Sequence, residues 1–277
     1  MVSARNDYVE AQRGASPKKG TDPFLIPMQN HEDKRYPSVT GMSQEQHAGV
    51  VREIFETISD RYDFFNRLFS LRRDVAWRRA AVSSMKFFKT RRFLDVATGT
   101  ADLAVEASVR HHGISTVGLD FSGAMMGAGN RKIAAHGLER RIRLIRADAL
   151  KIPFGDSTFD VAAMAFGIRN VTDRLSALRE MKRVIAPGGR VMVLEMNLPR
   201  GSMIVGGFRH YLDRFMPLVA RGFSKNPAAY AYLADSITHF PSPNVFAGMM
   251  RKAGLTGIEI NPLTFGICHL FIGTKPQ

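Results

Sequence analysis

The chain has one cysteine, Cys268, and one tryptophan, Trp77, among 277 residues. A lone thiol excludes an intrachain disulfide. Set in the apolar stretch GICHLFIG, it reads as a small core hydrophobe in a reducing compartment, the cytoplasm. No apolar run reaches the roughly 20 residues that span a bilayer, which argues against a membrane-crossing helix. The N-terminus lacks an apolar h-region, so secretion by that route is not expected. His111, His112 and His136 read as loop or surface residues, no His, Cys and carboxylate spacing resembles a metal site, and no metal is expected. Acid is also scarce: 25 Asp and Glu stand against 39 Lys and Arg, a net charge of +14.

The excess base is unevenly spread. Between Arg61 and Arg92 ten Lys or Arg oppose two Asp, so more than half the net charge precedes the first strong strand signal. Charge alone does not choose among nucleic acid, anionic lipid and a solvated helix face. Residues 1–45 are polar and proline-containing with little periodicity, which predicts a disordered extension, with Met28 and Met42 as alternative starts. From 93 to 195 strand and helix patterns alternate without a break, so residues 46–277 are expected to form one α/β domain.

The segment Phe93 to Asp120 reads as a buried strand (FLDVA), a turn containing Gly99, a helix, and a second strand (TVGLD) ending on an acid. That is the layout of a nucleoside pocket: the bare turn lets backbone N–H groups approach a ligand, and an acid about 20 residues on accepts ribose hydroxyls. A dinucleotide site wants three glycines, whereas ATGTADL has one, so S-adenosylmethionine is favoured over a pyrophosphate. Asp95 and Asp120 would flank its amino-acid and ribose portions. Further on, RIRLIRADAL (Arg141–Leu150) runs into Asp148, placed to accept from an adenine amino group. FDVAAMAFGIRN is a fourth strand opening on Arg169 and Asn170. A helix from Arg174 to Ile185 stops at APGG, and RVMVLEM supplies the fifth strand.

The acid-ended strands, the FDVA strand and the APGG turn together resemble class I S-adenosylmethionine-dependent methyltransferases. YDFFNRLFSLRRDVAW (Tyr62–Trp77), AFGIRNVTD (Ala165–Asp173), ALREMKRVIAPGGRVMVLE (Ala177–Glu195) and YLADSITHFP (Tyr232–Pro241) are similar to the ubiquinone/menaquinone biosynthesis C-methyltransferase family over roughly Val50 to Pro276. The chain departs from that family in having Phe65 for Met, Asp74 for His, Glu195-Met196-Asn197 where the fifth strand usually ends on Ser, and Phe271 for His. These departures leave the cofactor pocket intact and fall on the substrate side.

The resemblance implies a Rossmann-like class I fold: a mostly parallel seven-stranded sheet with a C-terminal antiparallel hairpin and a helical N-terminal lid. The expected divisions are a lid over 46–90, a cofactor-binding core over 91–200, a helical insertion over 201–240, and a terminal helix and hairpin over 241–277. It further implies methyl transfer to a ring carbon of a demethylated prenylquinol, either naphthoquinone or benzoquinone. The cofactor wall is expected to comprise Asp95, Gly99, Thr100, Asp120, Ser122, Met125, Asp148, Ala149 and Ala165. Arg169 would pair with the developing oxyanion or fix a water that takes the proton, Asn170 would orient that water, and Tyr62, Asn66 and Trp77 would line the ring site. A structural bridge from Arg169 to Asp173 or another carboxylate is the bland alternative, and His269 reads as a sheet histidine rather than a proton carrier.

Phe208, Tyr211, Leu212, Phe215, Met216, Val219 and Phe223 share one helical face with Arg209 and Arg214 opposite, the pattern of a helix lying on a membrane surface. The same stripe also suits core or a homodimer interface. Val51, Ile54, Phe55, Ile58 and Tyr62 repeat the spacing in a helix expected to cover the cofactor pocket. Peripheral contact with the inner membrane face follows from these features. Nucleic acid is disfavoured: the tip after the fourth strand is FGIRN, not the Asn- or Asp-Pro-Pro-aromatic tip of base amino methyltransferases, and stacking platforms are not evident. RNA methylation and a catalytically silent assembly subunit stay as the alternatives.

Overall fold

Strands that are apolar on both faces need helices on both sides, and the chain supplies them alternately. In the computed structural model β1 (Arg92–Val96), β2 (Ser115–Asp120), β3 (Ile142–Arg146), β4 (Phe159–Ala165), β5 (Ile185–Met196), β6 (Thr256–Leu263) and β7 (Cys268–Thr274) form one sheet. Its order is β3-β2-β1-β4-β5-β7-β6. The first five strands pair in parallel, whereas β7 runs antiparallel to both β5 and β6. The structure describes residue 36, residues 41–197, residues 207 and 210, and residues 227–277, all within one compact unit, His31–Gln277.

Three helices precede the sheet: α1 (Gln44–Ile58), α2 (Tyr62–Phe69) and α3 (Arg73–Ser83). They are followed by α4 (Asp102–Arg110), α5 (Gly123–Ala135), α6 (Arg174–Val184), α7 (Pro227–Thr238) and α8 (Pro243–Lys252). Side-chain caps set several starts: Ser43 and Gln46 form a capping box on α1, Ser122 accepts from Met125 N–H on α5, and Asp173 accepts from Ser176 N–H on α6. One sheet face packs Phe93, Val161, Met192, Leu194 and Leu270 against Trp77, Ala81, Val82, Leu103 and Ala107. A second cluster joins Val51, Ile54, Ile58, Phe65 and Phe69 to Ala229, Tyr232 and Ile237, so α1 and α2 bury their apolar stripe against α7. The order of the strands reverses between β1 and β4, and at such a switch point the carboxyl ends open a crevice.

Two local readings differ. The third strand stops at Arg146, so Asp148 lies two residues beyond it. APGG, read as a turn between helix and strand, sits inside β5 instead: Phe159 pairs with Ile185 and Val161 with Arg190, and the four residues between bulge out around Gly188 (φ +79°). The stripe from Phe208 to Phe223, most of the 1–45 extension and much of the 201–240 insertion lie outside the described residues.

The approach to β1 hangs on one carboxylate. Asp160, fully buried on β4, accepts from the N–H groups of Phe88 (3.0 Å), Lys89 (3.1 Å), Thr90 (2.8 Å) and Arg91 (2.9 Å). Burial alone would raise its pKa, but the four donors outweigh burial and hold it below the usual carboxylate range. Asp160→Ala should cost about 3 kcal/mol in urea unfolding. Because the folded pKa is depressed, the ionised form stabilises the fold above the ordinary range, and this is lost as pH falls through the folded value. Asp160→Asn should therefore flatten the acid limb of the stability profile, and an unchanged limb would count against the assignment.

Candidate functional site

The turn after β1 adopts left-handed backbone at alternate positions: Ala97 (φ +54°), Gly99 (φ +55°) and Ala101 (φ +65°). Such alternation curls N–H groups toward a concavity that suits an anion. A side chain at Gly99 would stand 3.2 Å from Met125 Cε, so the Met125 side chain packs closely on the turn. The Gly99 N–H donates to Asp120 Oδ2 (2.7 Å), and Ser122 N–H to Asp120 Oδ1 (2.9 Å). A carboxylate accepts about four hydrogen bonds, so Asp120 keeps acceptor capacity after fastening β1 to β2. Asp95 Oδ2 accepts from Thr98 Oγ1 (2.7 Å) and Ala104 N–H (3.1 Å).

Burial raises both acids. Asp120 is pushed up to about 6 against the pull of the Ser122, Gly99 and Phe121 N–H groups, and Asp95 up to about 7 against its Thr98 and Ala104 bonds. Ser122 and Met125 are buried beside them. Asp148 is exposed past β3, its Oδ1 accepting from Leu150 N–H (2.8 Å), with Ala149 half-buried next to it. Ala165 ends β4, and behind it Gly167 leaves no room for a side chain, since one would stand 2.8 Å from Ala97 Cβ. Asp95, Gly99, Thr100, Asp120, Ser122, Met125 and Ala165 thus gather at the carboxyl edge of β1, β2 and β4. Their donors and acceptors fit S-adenosylmethionine: the curled turn suits its carboxylate, Asp95 its ammonium, and Asp120 its ribose.

Beside this edge lies a cleft with about 450 Å³ of empty space, open solvent at its mouth included. Phe69, Trp77, Phe166, Met196, Leu233 and Ile237 give it apolar walls, and Asn66, Ser70, Asp74, Arg78 and Arg169 supply the polar groups. Arg169, on the 3₁₀ turn Ile168–Asn170, pairs through Nη1 with fully buried Glu195 of β5, and its backbone N–H reaches Glu195 Oε2 (3.3 Å). Its Nε is buried with no hydrogen-bond partner among the described residues. Asn170 Oδ1 accepts from Tyr232 Oη (3.4 Å), whose hydroxyl also meets His47 Nε2 (2.7 Å). Tyr62 is hydrogen-bonded to Asn66 and faces Arg169 and Arg78; burial raises its phenol, which stays protonated. Trp77 Nε1 donates to Thr264 Oγ1 (2.8 Å).

Several participants escaped the sequence reading. Arg169 does bridge a carboxylate, but Glu195 rather than Asp173, which caps α6 instead. Arg78, one residue past Trp77, meets Asp74 (2.6 Å) and Asp102 (3.6 Å) and stacks over Phe166 at 5.2 Å. Asp63 of α2 accepts from Thr100 Oγ1 (2.6 Å) and pairs with Lys132 of α5 (2.6 Å), which also pairs with Asp102. For Asp63 and Arg78 the advance signal was the run of acids and bases in RYDFFNRLFSLRRDVAWRR, which names charges but not partners. His269 stacks on Phe271 (5.9 Å) with Nδ1 buried and unpartnered among the described residues; burial lowers its pKa, and it does not line the cleft. Among the described residues no group of three or more His, Cys, Asp or Glu is placed to hold a metal.

Asp120→Asn keeps the shape of the acceptor but removes its charge, and should weaken S-adenosylhomocysteine binding about tenfold or more in calorimetry. In the unaltered chain the affinity should fall as pH drops through about 6, where the raised Asp120 takes up its proton. A flat affinity between neutral and mildly acid pH would remove Asp120 from the site.

Known proteins are similar to this one over most of the chain. The ubiquinone/menaquinone biosynthesis C-methyltransferase UbiE of Geotalea daltonii is 42% identical over 226 residues, 81% of this chain and 96% of that one. A demethylmenaquinone methyltransferase of Thermus thermophilus is 41% identical over 223 residues, 80% of this chain and 100% of the relative. Among solved structures, a S-adenosylmethionine-dependent methyltransferase of Thermotoga maritima, described as a possible histamine N-methyltransferase, superposes with a TM-score of 0.56 at 20% identity. That match covers 80% of this chain and 98% of the other, and shows the shared fold. With the family model also matching residues 40–275, the chain belongs to the ubiE/COQ5 methyltransferase family and is a S-adenosylmethionine-dependent methyltransferase.

Proposed function

We propose that the protein methylates a ring carbon of a demethylated prenylquinol, demethylmenaquinol first and a ubiquinone precursor second. The names of the similar proteins support this acceptor class. The observation that carries it is a buried guanidinium with an unused Nε donor, Arg169, among the apolar walls of the cleft beside the cofactor edge, where the other cation, Arg78, is paired with Asp74. Apolar walls accept a flat ring and the start of its tail, and a fixed cation among them selects an acceptor that develops negative charge.

When bound, S-adenosylmethionine supplies a sulfonium-activated methyl group. Asp95, Asp120 and the curled Ala97–Ala101 turn would hold it, and the chain's other residues prepare the acceptor. A quinol hydroxyl must lose its proton for the neighbouring ring carbon to become a nucleophile. After that carbon gains the methyl, its C–H proton must leave to restore the aromatic ring. The Arg169 guanidinium presents fixed donors, so it stabilises the phenolate and holds a water that carries the proton away. Glu195 fixes the guanidinium from behind, and Asn170, itself held by Tyr232, orients the water. Tyr62, its phenol raised by burial, stays neutral behind Asn66 of the cleft wall. The apolar walls exclude bulk water, which would favour the separated charges over the transition state. The acceptor is lipid-borne, so peripheral contact with the inner membrane face belongs to the same reading.

The test is methyl-labelled cofactor offered with demethylmenaquinol, a demethylated benzoquinol and total RNA. Label should enter a quinol; label in RNA alone would overturn the reading. Arg169→Ala should lower kcat by about 10²- to 10³-fold while S-adenosylhomocysteine affinity stays within about twofold, and undiminished turnover would make Arg169 a structural bridge only.

A further inference from the structure

Among the described residues the two most exposed large hydrophobic side chains are Phe265 (78% exposed) and Leu71 (71%), and the reaction uses neither. Both stand on left-handed backbone that residues with a Cβ rarely adopt: Leu71 (φ +50°) and Arg72 (φ +61°) on one loop, Thr264 (φ +45°) and Phe265 (φ +56°) on the other. The first loop caps α2, with Leu71 N–H on Leu68 O (3.1 Å) and Arg72 N–H on Arg67 O (2.7 Å). Glycine relieves such a cap, yet Leu and Arg occupy it. Strain of this kind persists where a protein uses the side chain it displays.

The two loops belong to one rim. Trp77, a wall of the cleft, donates to Thr264, and Ser70, also a wall, precedes Leu71. Phe64 (57% exposed) is a further exposed aromatic on α2, the helix that this loop caps. Flanking Leu71, Arg67, Arg72 and Arg73 are exposed, and no acid lies between Phe64 and Arg73. The flanking acids are already engaged: Asp63 by Thr100 and Lys132, Asp74 by Ser70 and Arg78. Protruding apolar tips ringed by cations match an anionic lipid leaflet, with carbon entering the acyl boundary and guanidinium groups at the phosphates.

We propose that the Ser70–Arg72 loop and the Thr264–Gly266 turn form a rim that inserts into an anionic membrane, with Leu71 and Phe265 as anchors, so that the cleft takes its acceptor from the bilayer. This rests on the quinol reading of the cleft. The test uses the full chain with phosphatidylcholine vesicles, alone or containing phosphatidylglycerol. Binding should need the anionic lipid and weaken with salt. The Leu71→Gly/Phe265→Gly double variant relieves backbone strain, so it should fold and bind S-adenosylhomocysteine unchanged while vesicle affinity drops about tenfold. Its turnover should fall with a long-tailed quinol in vesicles and hold with a short-tailed quinol in detergent. Equal binding by variant and parent, or equal binding to neutral vesicles, would overturn the inference. So would lipid-free self-association of the parent, lost in the variant on light scattering, because the rim would then be an interface between copies. If vesicles bind as expected but neither quinol is methylated, the quinol reading fails and the lipid-binding rim remains.

Discussion

The site depends on the hydrogen bond from the Gly99 N–H to Asp120, set beside that from the Thr98 N–H to Leu119 O. It draws the turn after β1 onto the end of β2, and the left-handed residues on either side of Gly99 follow from the tightness of that closure. From there the contacts spread outward. Met125 packs over the turn, Ser122 starts α5 with its own N–H on the same carboxylate, and Gly167 brings the β4 tip, with Arg169, against Ala97. A carboxylate that holds the chain's own backbone while keeping lone pairs for a guest is preorganised, because the protein has already met the desolvation cost in folding.

The N-terminal helices are joined to this turn by charge rather than by oil alone. Asp63, Lys132, Asp102, Arg78 and Asp74 alternate in sign across α2, α5, α4 and α3. Pairs this secluded gain little net stability over apolar packing, since removing two ions from water offsets most of their attraction. What they provide is register, because a shift of one helical turn would strand a charge. Asp74, a departure from the family pattern, is one end of that chain. The apolar contribution comes from the opposite side, where Val51, Ile54, Phe65 and Phe69 pack on α7.

The cofactor edge was legible because parallel strands end on it in order, and a residue at the end of an apolar run is placed by the run itself. Asp95, Asp120 and the Arg169–Asn170 tip were placed at that carboxyl edge in this way. Glu195 was not, since a carboxylate inside a buried strand shows in sequence only as an oddity, and its partner lies 26 residues away. Asp160 was hidden for the same reason: its value lies in four N–H groups of a distant segment. The APGG bulge was misread because proline and glycine mark an interruption without saying whether the chain turns away or arches within a strand. Arg78 lay in a basic run, and Lys132 on a helix with no acid beside it in sequence, so only the fold selects their partners.

Trp77 is the only indole in the chain. Its ring lines the cleft, sits 6.0 Å from Phe166 and gives its N–H to Thr264. Indole emission responds to local polarity and to the partner of its N–H, so the natural fluorescence of this protein is a one-site optical gauge of its cleft. Filling or drying that space changes a signal that needs neither an attached dye nor an engineered chromophore.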